Sequence, residues 1–152
     1  AQSQLAMARL YMDKNRDQDA ADVLQELLTL RGNDALQHVG RVRLARILLY
    51  QDKPQEVLDL LEDQDNLAFA GLYAEARGDA HAALGQFTEA ADAYRLALAD
   101  STRAVNAGLV QMKLLDLPEP EPAADETVDA PVDAPVEESA EPVVDEEAGE
   151  AE

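Results

Sequence analysis

The sequence contains no cysteine and no tryptophan, and only 4% of its residues are aromatic. Without cysteine the chain can form no disulfide and carry out no thiolate chemistry. The absence fits a reducing cytosol and a cysteine-poor periplasmic domain equally well. It therefore limits the chemistry of the protein without assigning a compartment.

Basic residues are scarce as well. Twelve lysines and arginines stand against 32 aspartates and glutamates, which gives a net charge of −20. So acidic a protein repels phosphate backbones, and no basic patch interleaved with aromatic residues offsets that repulsion. We predict no nucleic-acid partner.

Long apolar runs are also missing. No run of about 20 apolar residues and no signal-peptide pattern is present. The chain starts at Ala1 and enters a helical pattern at once, whereas a natural start carries methionine. We expect a fragment whose upstream part, with a membrane anchor, lies outside this sequence.

Catalytic and metal-binding motifs are absent too. There is no GxSxG, no HExxH and no glycine-rich phosphate loop. The segment 13–17 opens like a calcium loop, but Gln18 and Leu24 stand where glycine and glutamate are needed. The only histidines, His38 and His81, are expected to be packed side chains. We predict no enzyme activity, no cofactor and no metal site.

The C-terminal segment differs from the rest of the chain. From Pro118 to Glu152 there are fourteen acidic residues, six of the seven prolines and no lysine or arginine. Because valine and alanine are its only apolar residues, it cannot bury enough surface to offset the entropy of ordering. We predict a folded domain at 1–117, with 18 acidic and 12 basic residues, and a disordered acidic, proline-rich tail at 118–152.

Two roles for this tail follow from its charge. It acts either as a solvated segment that keeps the protein soluble, or as a competitor whose carboxylates fold back over basic side chains. The basic side chains in question are Arg41, Arg43 and Arg46. The sequence leaves both roles open.

Small and large residues alternate in the folded part with the spacing of a tetratricopeptide repeat, a helical hairpin of about 34 residues. Small residues are needed where two antiparallel helices cross closely, and large ones fill the space beside the crossing. The clearest copy carries Gly78, Gly85, Ala90, Tyr94, Ala97 and Leu98. The first copy carries Ala8, Tyr11, Ala20, Leu24 and Leu28, and the second, weaker one carries Leu44, Ala45, Leu48, Pro54 and Leu61.

Three copies predict an all-α fold, a tetratricopeptide-like right-handed α-solenoid of three helical hairpins plus a C-terminal capping helix. We place the helices at 2–14, 17–31, 34–51, 54–63, 67–84, 86–100 and 102–116. Ser101 or Thr102 is expected to cap the last helix, which would pack through Val105, Leu109, Met112 and Leu115 and leave Lys113 in water. An unrelated helical bundle is the alternative.

Four segments in this order resemble the C-terminal domain of the YfgM family: DKN at 13–15, RVRLARILL at 41–49, EARGDAHAALGQFTEAADAY at 75–94 and QMKLLDL at 111–117. Members of that family are inner-membrane proteins with one transmembrane helix and a periplasmic tetratricopeptide-like domain. They are ancillary partners of the SecYEG translocon and work beside periplasmic chaperones such as PpiD. The resemblance covers residues 1–117 and implies the same location and partners here, whereas the acidic tail departs from it.

The first helix of each hairpin should line the concave face of the solenoid and contact a bound polypeptide. Counting along each hairpin puts nine residues there: Leu5, Arg9, Met12, Val42, Arg46, Leu49, Leu72, Glu75 and Asp79. We hypothesise that the apolar members hold apolar side chains and that Arg9 or Arg46 holds a carboxylate. The alternative is that some of the apolar members belong to the core.

The function that these observations predict is a non-enzymatic protein–protein interaction domain. By resemblance it would be the periplasmic part of a membrane-anchored, translocon-associated protein that links client polypeptides to chaperones. The rivals are a general tetratricopeptide scaffold in envelope or cell-division assembly, a cytosolic adaptor, and a small hydrolase or ligand-binding helical protein.

Overall fold

A computed structural model describes residues 1–118, and the predicted tail beyond Pro118 lies outside the described residues. Within 1–118 there are seven α-helices, one short 3₁₀ turn and no strand. The helices are α1 (Gln2–Asp13), α2 (Asp17–Thr29), α3 (Asp34–Tyr50), α4 (Pro54–Leu61), α5 (Ala70–Ala83), α6 (Phe87–Ala99) and α7 (Ala107–Leu115), and the 3₁₀ turn is Leu67–Phe69.

Each helix packs mainly on its neighbours in sequence, so that α1–α2, α3–α4 and α5–α6 form hairpins and α7 rests on α6. Nearest-neighbour packing of this kind is the organisation of a repeat solenoid. The prediction of an all-α, tetratricopeptide-like solenoid is therefore confirmed, while its right-handed sense stays a prediction. One buried cluster joins the first two hairpins and extends to Tyr73, and a second one joins α5, α6 and α7 through Val110.

The small residues predicted at the helix crossings are buried. Ala8 and Ala45 are 2% and 0% exposed, and Gly78 is buried as well. A methyl group on Gly78 would come within 2.5 Å of Cδ1 and Cε1 of Tyr94, which packs directly over it from α6. The hairpins close because these positions carry almost no side chain.

The turn inside each hairpin repeats one backbone conformation. Gly85 has a positive φ of +73°, and Asn15 and Asp52 take φ values of +54° and +58° at the matching turns. Asparagine and aspartate are among the few non-glycine residues that tolerate this left-handed region. The repeat is therefore visible in the backbone even where the residue type changes.

The short helix α4 is completed by a side chain from α5. It begins with Pro54 at its first turn and ends at Leu61, two residues before the predicted end at 63. The guanidinium of Arg77 donates to the carbonyls of Leu61 and Gln64, the latter at 3.2 Å. These bonds satisfy carbonyls that the end of a helix leaves unpaired.

The capping helix α7 starts later than predicted. Asn106, not Ser101 or Thr102, caps it, because its Oδ1 accepts from Leu109 N at 3.2 Å. The hydroxyl of Thr102 instead accepts from the N–H of Ala104 at 3.3 Å and donates to a carboxylate oxygen of Asp100. Together with the positive φ of Arg103, +55°, this turn prevents a helix from starting at 102.

The predicted packing is confirmed for Val105, which packs against the second buried cluster just before α7, but is wrong for the three predicted residues on α7 itself. Leu109, Met112 and Leu115 are 46%, 63% and 74% exposed, whereas Val110 is fully buried. Lys113, which was expected in water, is only 26% exposed at its side chain and pairs with carboxylates of α5. Two apolar faces compete on this short helix, and the face that also brings Lys113 to its partners is the one that packs.

A histidine joins the second hairpin to the third. The ring of His38 stacks on Phe69 at 5.2 Å between centroids, and its Nδ1 lies 2.5 Å from the hydroxyl of Tyr73. Asn66 accepts from the N–H of Ala68 through Oδ1, which turns its amide nitrogen toward Nε2 of His38 at 3.1 Å. Because Nε2 accepts from that amide, the ring is neutral with its proton on Nδ1, and it donates to the Tyr73 oxygen.

The Gly78 crossing predicts that Gly78→Ala destabilises the domain. Alanine favours a helix by about 1 kcal/mol over glycine, but overpacking a tight contact costs about 1–3 kcal/mol. The difference of these two effects is about 0–2 kcal/mol, and we expect the free energy of unfolding in urea to fall by about 2 kcal/mol, because the Tyr94 ring is only 3% exposed and has little room to move. The control is Gly108→Ala in α7, where a methyl group would meet only Asn106 Oδ1 at 3.5 Å and the free energy should stay the same or rise. A Gly78→Ala protein as stable as the parent would contradict the close crossing.

The His38 joint predicts that stability falls in mild acid. Burial, and then the nearby charge of Arg41, hold the pKa of His38 below its ordinary 6.5, and Asp34 opposes them weakly. Below pH 6.5 the unfolded chain therefore binds more protons at His38 than the folded protein does. The stability that the neutral His38 ring contributes is complete above that pH and is lost as the pH falls through and below it. A protonated His38 ring would also point an N–H at the amide donor of Asn66. The cations on the helices around it are Arg41 of α3 and Arg77 of α5.

The measurement for this joint is the free energy of unfolding of the parent and of His38→Gln between pH 7.5 and 5. We expect the difference between the two proteins to shrink as the pH falls. A difference that stays constant over this range would show that His38 does not titrate with folding.

Candidate protein-binding groove

The first helices of the first two hairpins enclose an apolar cavity of about 290 Å³. The residues that line it lie on α1, α2 and α3, and three of them are arginines whose guanidinium groups lie at the rim. It is lined by Ala8, Arg9, Met12, Leu24, Arg43, Arg46 and Ile47.

A second cavity of about 170 Å³ adjoins the first on the other side of α3. It is lined by Val39, Val42, Arg43, Arg46, Phe69 and Leu72. Arg43 and Arg46 line both cavities, so together they form one groove across α1, α3 and the start of α5. We call these two cavities the arginine groove.

Three exposed arginines dominate the charge of this groove: Arg9, Arg43 and Arg46. No carboxylate lines either cavity, and within residues 1–118 none forms a salt bridge with these arginines. Arg43 donates to the carbonyl of Leu5 at 3.3 Å, which holds its guanidinium over α1. The groove is therefore a local concentration of positive charge on an acidic protein.

Five of the nine residues predicted from the sequence line the arginine groove: Arg9, Met12, Val42, Arg46 and Leu72. Leu5 is only 9% exposed and belongs to the core, and Leu49 is partly buried against the same core without lining either cavity. Val42 lines a cavity but, at 5% exposed, also belongs to the core. Arg43 was not among the nine, although its basic side chain near Arg46 is evident in the sequence. Whether these residues bind a protein stays a prediction.

The remaining two predicted residues, Glu75 and Asp79, form an internal ion-pair cluster. Lys113 of α7 donates to Glu75 Oε1 at 2.9 Å and to Asp79 Oδ2 at 2.8 Å, and the Tyr94 hydroxyl donates to Asp79 Oδ1 at 2.8 Å. Burial alone lowers the pKa of Lys113, but the hydrogen bonds to Asp79 and Glu75 outweigh it, so that the pKa is raised. Burial, followed by the bond to Asp79, raises the pKa of the Tyr94 phenol.

This cluster fixes the charge pattern of the face. Because Glu75 and Asp79 are already paired with Lys113, these two carboxylates have few hydrogen-bonding sites left for an external ligand. In contrast, Arg9, Arg43 and Arg46 of the first and second hairpins form no salt bridge with a carboxylate of residues 1–118. The two ends of the predicted face therefore differ in what they can bind.

The described residues hold no group of three histidines or carboxylates that could bind a metal ion. Of the helices in residues 1–118, none has both the length and the apolar character needed to cross a membrane. His81, the second histidine, contacts the side chain of Gln86 through Nδ1 at 2.7 Å, at the turn between α5 and α6.

Comparison with known proteins gives one finding. A family model described as a tetratricopeptide repeat-like domain matches residues 1–119, while no curated protein and no solved structure matches the chain. Domains of this kind are protein-interaction scaffolds that are generally non-catalytic. The match spans the three hairpins, the capping helix and the whole arginine groove, and on that ground the chain belongs to the tetratricopeptide repeat-like domain family.

Proposed function

We propose that the arginine groove binds an extended or helical segment of another polypeptide. A carboxylate of that segment lies among Arg9, Arg43 and Arg46, and its apolar side chains pack against Met12 and Leu72. The observation that supports this proposal is the combination of an apolar floor with three exposed guanidinium groups that form no salt bridge within residues 1–118. An arginine presents a planar fork that matches a carboxylate through two hydrogen bonds.

The affinity of such a groove is expected to be modest. Exposed ion pairs contribute about 0–1 kcal/mol each, and apolar contact adds about 25 cal/mol per Å² removed from water. After the cost of ordering a flexible segment, a dissociation constant of about a micromolar or weaker follows. Weak, broad recognition of this kind suits a protein that meets many client chains.

The biological setting we propose comes from the YfgM resemblance. In it the domain lies on the periplasmic side of the bacterial inner membrane, anchored by a helix upstream of Ala1, and associates with the SecYEG translocon. It would pass secreted chains to periplasmic chaperones such as PpiD. A scaffold in envelope or cell-division assembly, or a cytosolic adaptor, would use the same groove with other partners.

The groove predicts a charge-specific loss of peptide binding in Arg46→Glu. The probe is a fluorescein-labelled peptide with one glutamate between leucines, and its binding is measured by fluorescence anisotropy at low salt. We expect about a tenfold weaker affinity, equal to about 1.4 kcal/mol, because a carboxylate would replace a guanidinium at the centre of the groove. Replacing the peptide glutamate by glutamine should weaken binding to the parent in the same direction.

The matched control is Arg95→Glu, which makes the same charge change at an exposed arginine of α6 outside the groove. It should alter the affinity by less than about twofold. Equal losses in the two variants would mean that only net charge matters, and no loss in either would remove the groove from the proposal.

The proposed partners are tested separately by photo-crosslinking from position 46 of the full-length protein in membranes. Capture of a SecYEG subunit or of PpiD is the expected result. If only envelope-assembly or cytosolic proteins are captured, the translocon setting is wrong while peptide binding in the groove stands.

A further inference from the structure

The capping helix leaves three large apolar side chains in solvent. Leu109, Met112 and Leu115 follow one another at three-residue steps on α7 and are 46%, 63% and 74% exposed. We call them the α7 stripe. A run of adjacent exposed apolar residues on one helix face differs from the single exposed leucines that any surface carries.

The repeat explains what is missing above this stripe. Met112 follows Gly78 by 34 residues, one repeat length, and so takes the place that Ala8, Ala45 and Gly78 hold in the other first helices. In the third hairpin that place is covered by Tyr94 of the second helix α6. Within residues 1–118 no second helix follows α7. The α7 stripe is therefore the surface on which the second helix of a fourth hairpin would pack.

A cavity of about 260 Å³ continues the stripe at the C-terminal end of α7. Leu115 belongs to both, and most of the lining is apolar, from α6, from α7 and from Leu117 and Pro118 after it. The lining residues are Phe87, Thr88, Ala91, Arg95, Leu114, Leu115, Leu117 and Pro118. The cavity is large enough for one leucine or phenylalanine side chain of a docked helix.

The residues that follow α7 in this chain do not have the composition of a helix that could pack on the α7 stripe. From Glu119 to Glu152 there is no leucine, isoleucine, methionine or aromatic residue, and five prolines interrupt the segment. A helix that covers Met112 and Leu115 needs large apolar side chains at three- and four-residue steps. Proline inside such a helix would break it.

Charge also argues against a second copy of the chain and for a basic partner. Each copy carries a net charge of −20, and a two-fold contact would bring identical acidic chains together. Asp116 directly follows α7, and fourteen further acidic residues follow it with no lysine or arginine. The one lysine of α7 is already paired with Glu75 and Asp79.

We propose that the α7 stripe docks a basic amphipathic helix of another protein, which completes a fourth hairpin. The apolar face of that helix packs on Met112 and its neighbours and inserts one side chain into the cavity beside Leu115. Its lysines and arginines lie toward Asp116, which directly follows α7. This surface shares no residue with the arginine groove, so the two sites bind independently.

The test uses the full chain and a fluorescein-labelled 18-residue Leu/Lys peptide with all leucines on one helical face. A second peptide of the same composition has its leucines distributed around the helix. We expect Met112→Gln/Leu115→Gln to weaken binding of the first peptide about tenfold and to leave the second unchanged. Leu67→Gln is the matched control, since Leu67 is 83% exposed on the 3₁₀ turn and should change the affinity less than about twofold.

Other occupants give different results. Sedimentation of the parent should show a monomer, and a dimer that Met112→Gln/Leu115→Gln dissolves would overturn the proposal in favour of a second copy. Because the chain has no cysteine, Met112→Cys can carry a single benzophenone label. Crosslinks from it into residues 119–152 of the same chain would overturn the proposal in favour of the chain's own segment.

Equal peptide affinity in Met112→Gln/Leu115→Gln and the parent would also overturn it. Arg46→Glu should leave binding of the Leu/Lys peptide unchanged, so failure of the stripe and failure of the arginine groove are distinguishable.

Discussion

The structure depends on the close approach of two helices within each hairpin. At Gly78 the ring of Tyr94 occupies the volume that a side chain would need, and at Ala8 and Ala45 the side chain is a buried methyl group. Interiors of proteins are packed at close to crystal density, so this approach fixes the spacing of the hairpin and the direction of its helices. The rest of the solenoid is assembled from that spacing.

The crossing of α5 and α6 at Gly78 also positions the polar side chains that hold α7 in place. Tyr94, held over Gly78, donates to Asp79, and Asp79 together with Glu75 accepts from Lys113. This network orients α7 and pairs Glu75 and Asp79 internally. A buried ion pair of this kind contributes more to a unique arrangement than to net stability, because desolvation offsets much of its attraction.

The two proposed binding surfaces differ in chemistry because they occupy different places in the repeat. The arginine groove runs across α1, α3 and the start of α5, where guanidinium groups lie beside an apolar floor. The α7 stripe lies at the end of the stack, where residues that would be core in an internal repeat meet solvent. An end of a solenoid is expected to be either polar or covered, and this one is apolar.

The sequence alone determined the all-α repeat, the positions of the hairpins and the buried small residues, because those features follow from local spacing that recurs at intervals of about 34 residues. It also placed Arg9, Met12, Val42, Arg46 and Leu72 on first helices, and of these Arg9 and Arg46 take the same place, directly after the small residue of the crossing. Only the tertiary structure decided the start and rotation of α7, the pairing of Lys113 with Glu75 and Asp79, the His38 joint and the place of Arg43 in the groove. These depend on contacts between residues about 30 to 40 positions apart, and two helical phases that look equally apolar in the sequence are separated only when their partners are in place.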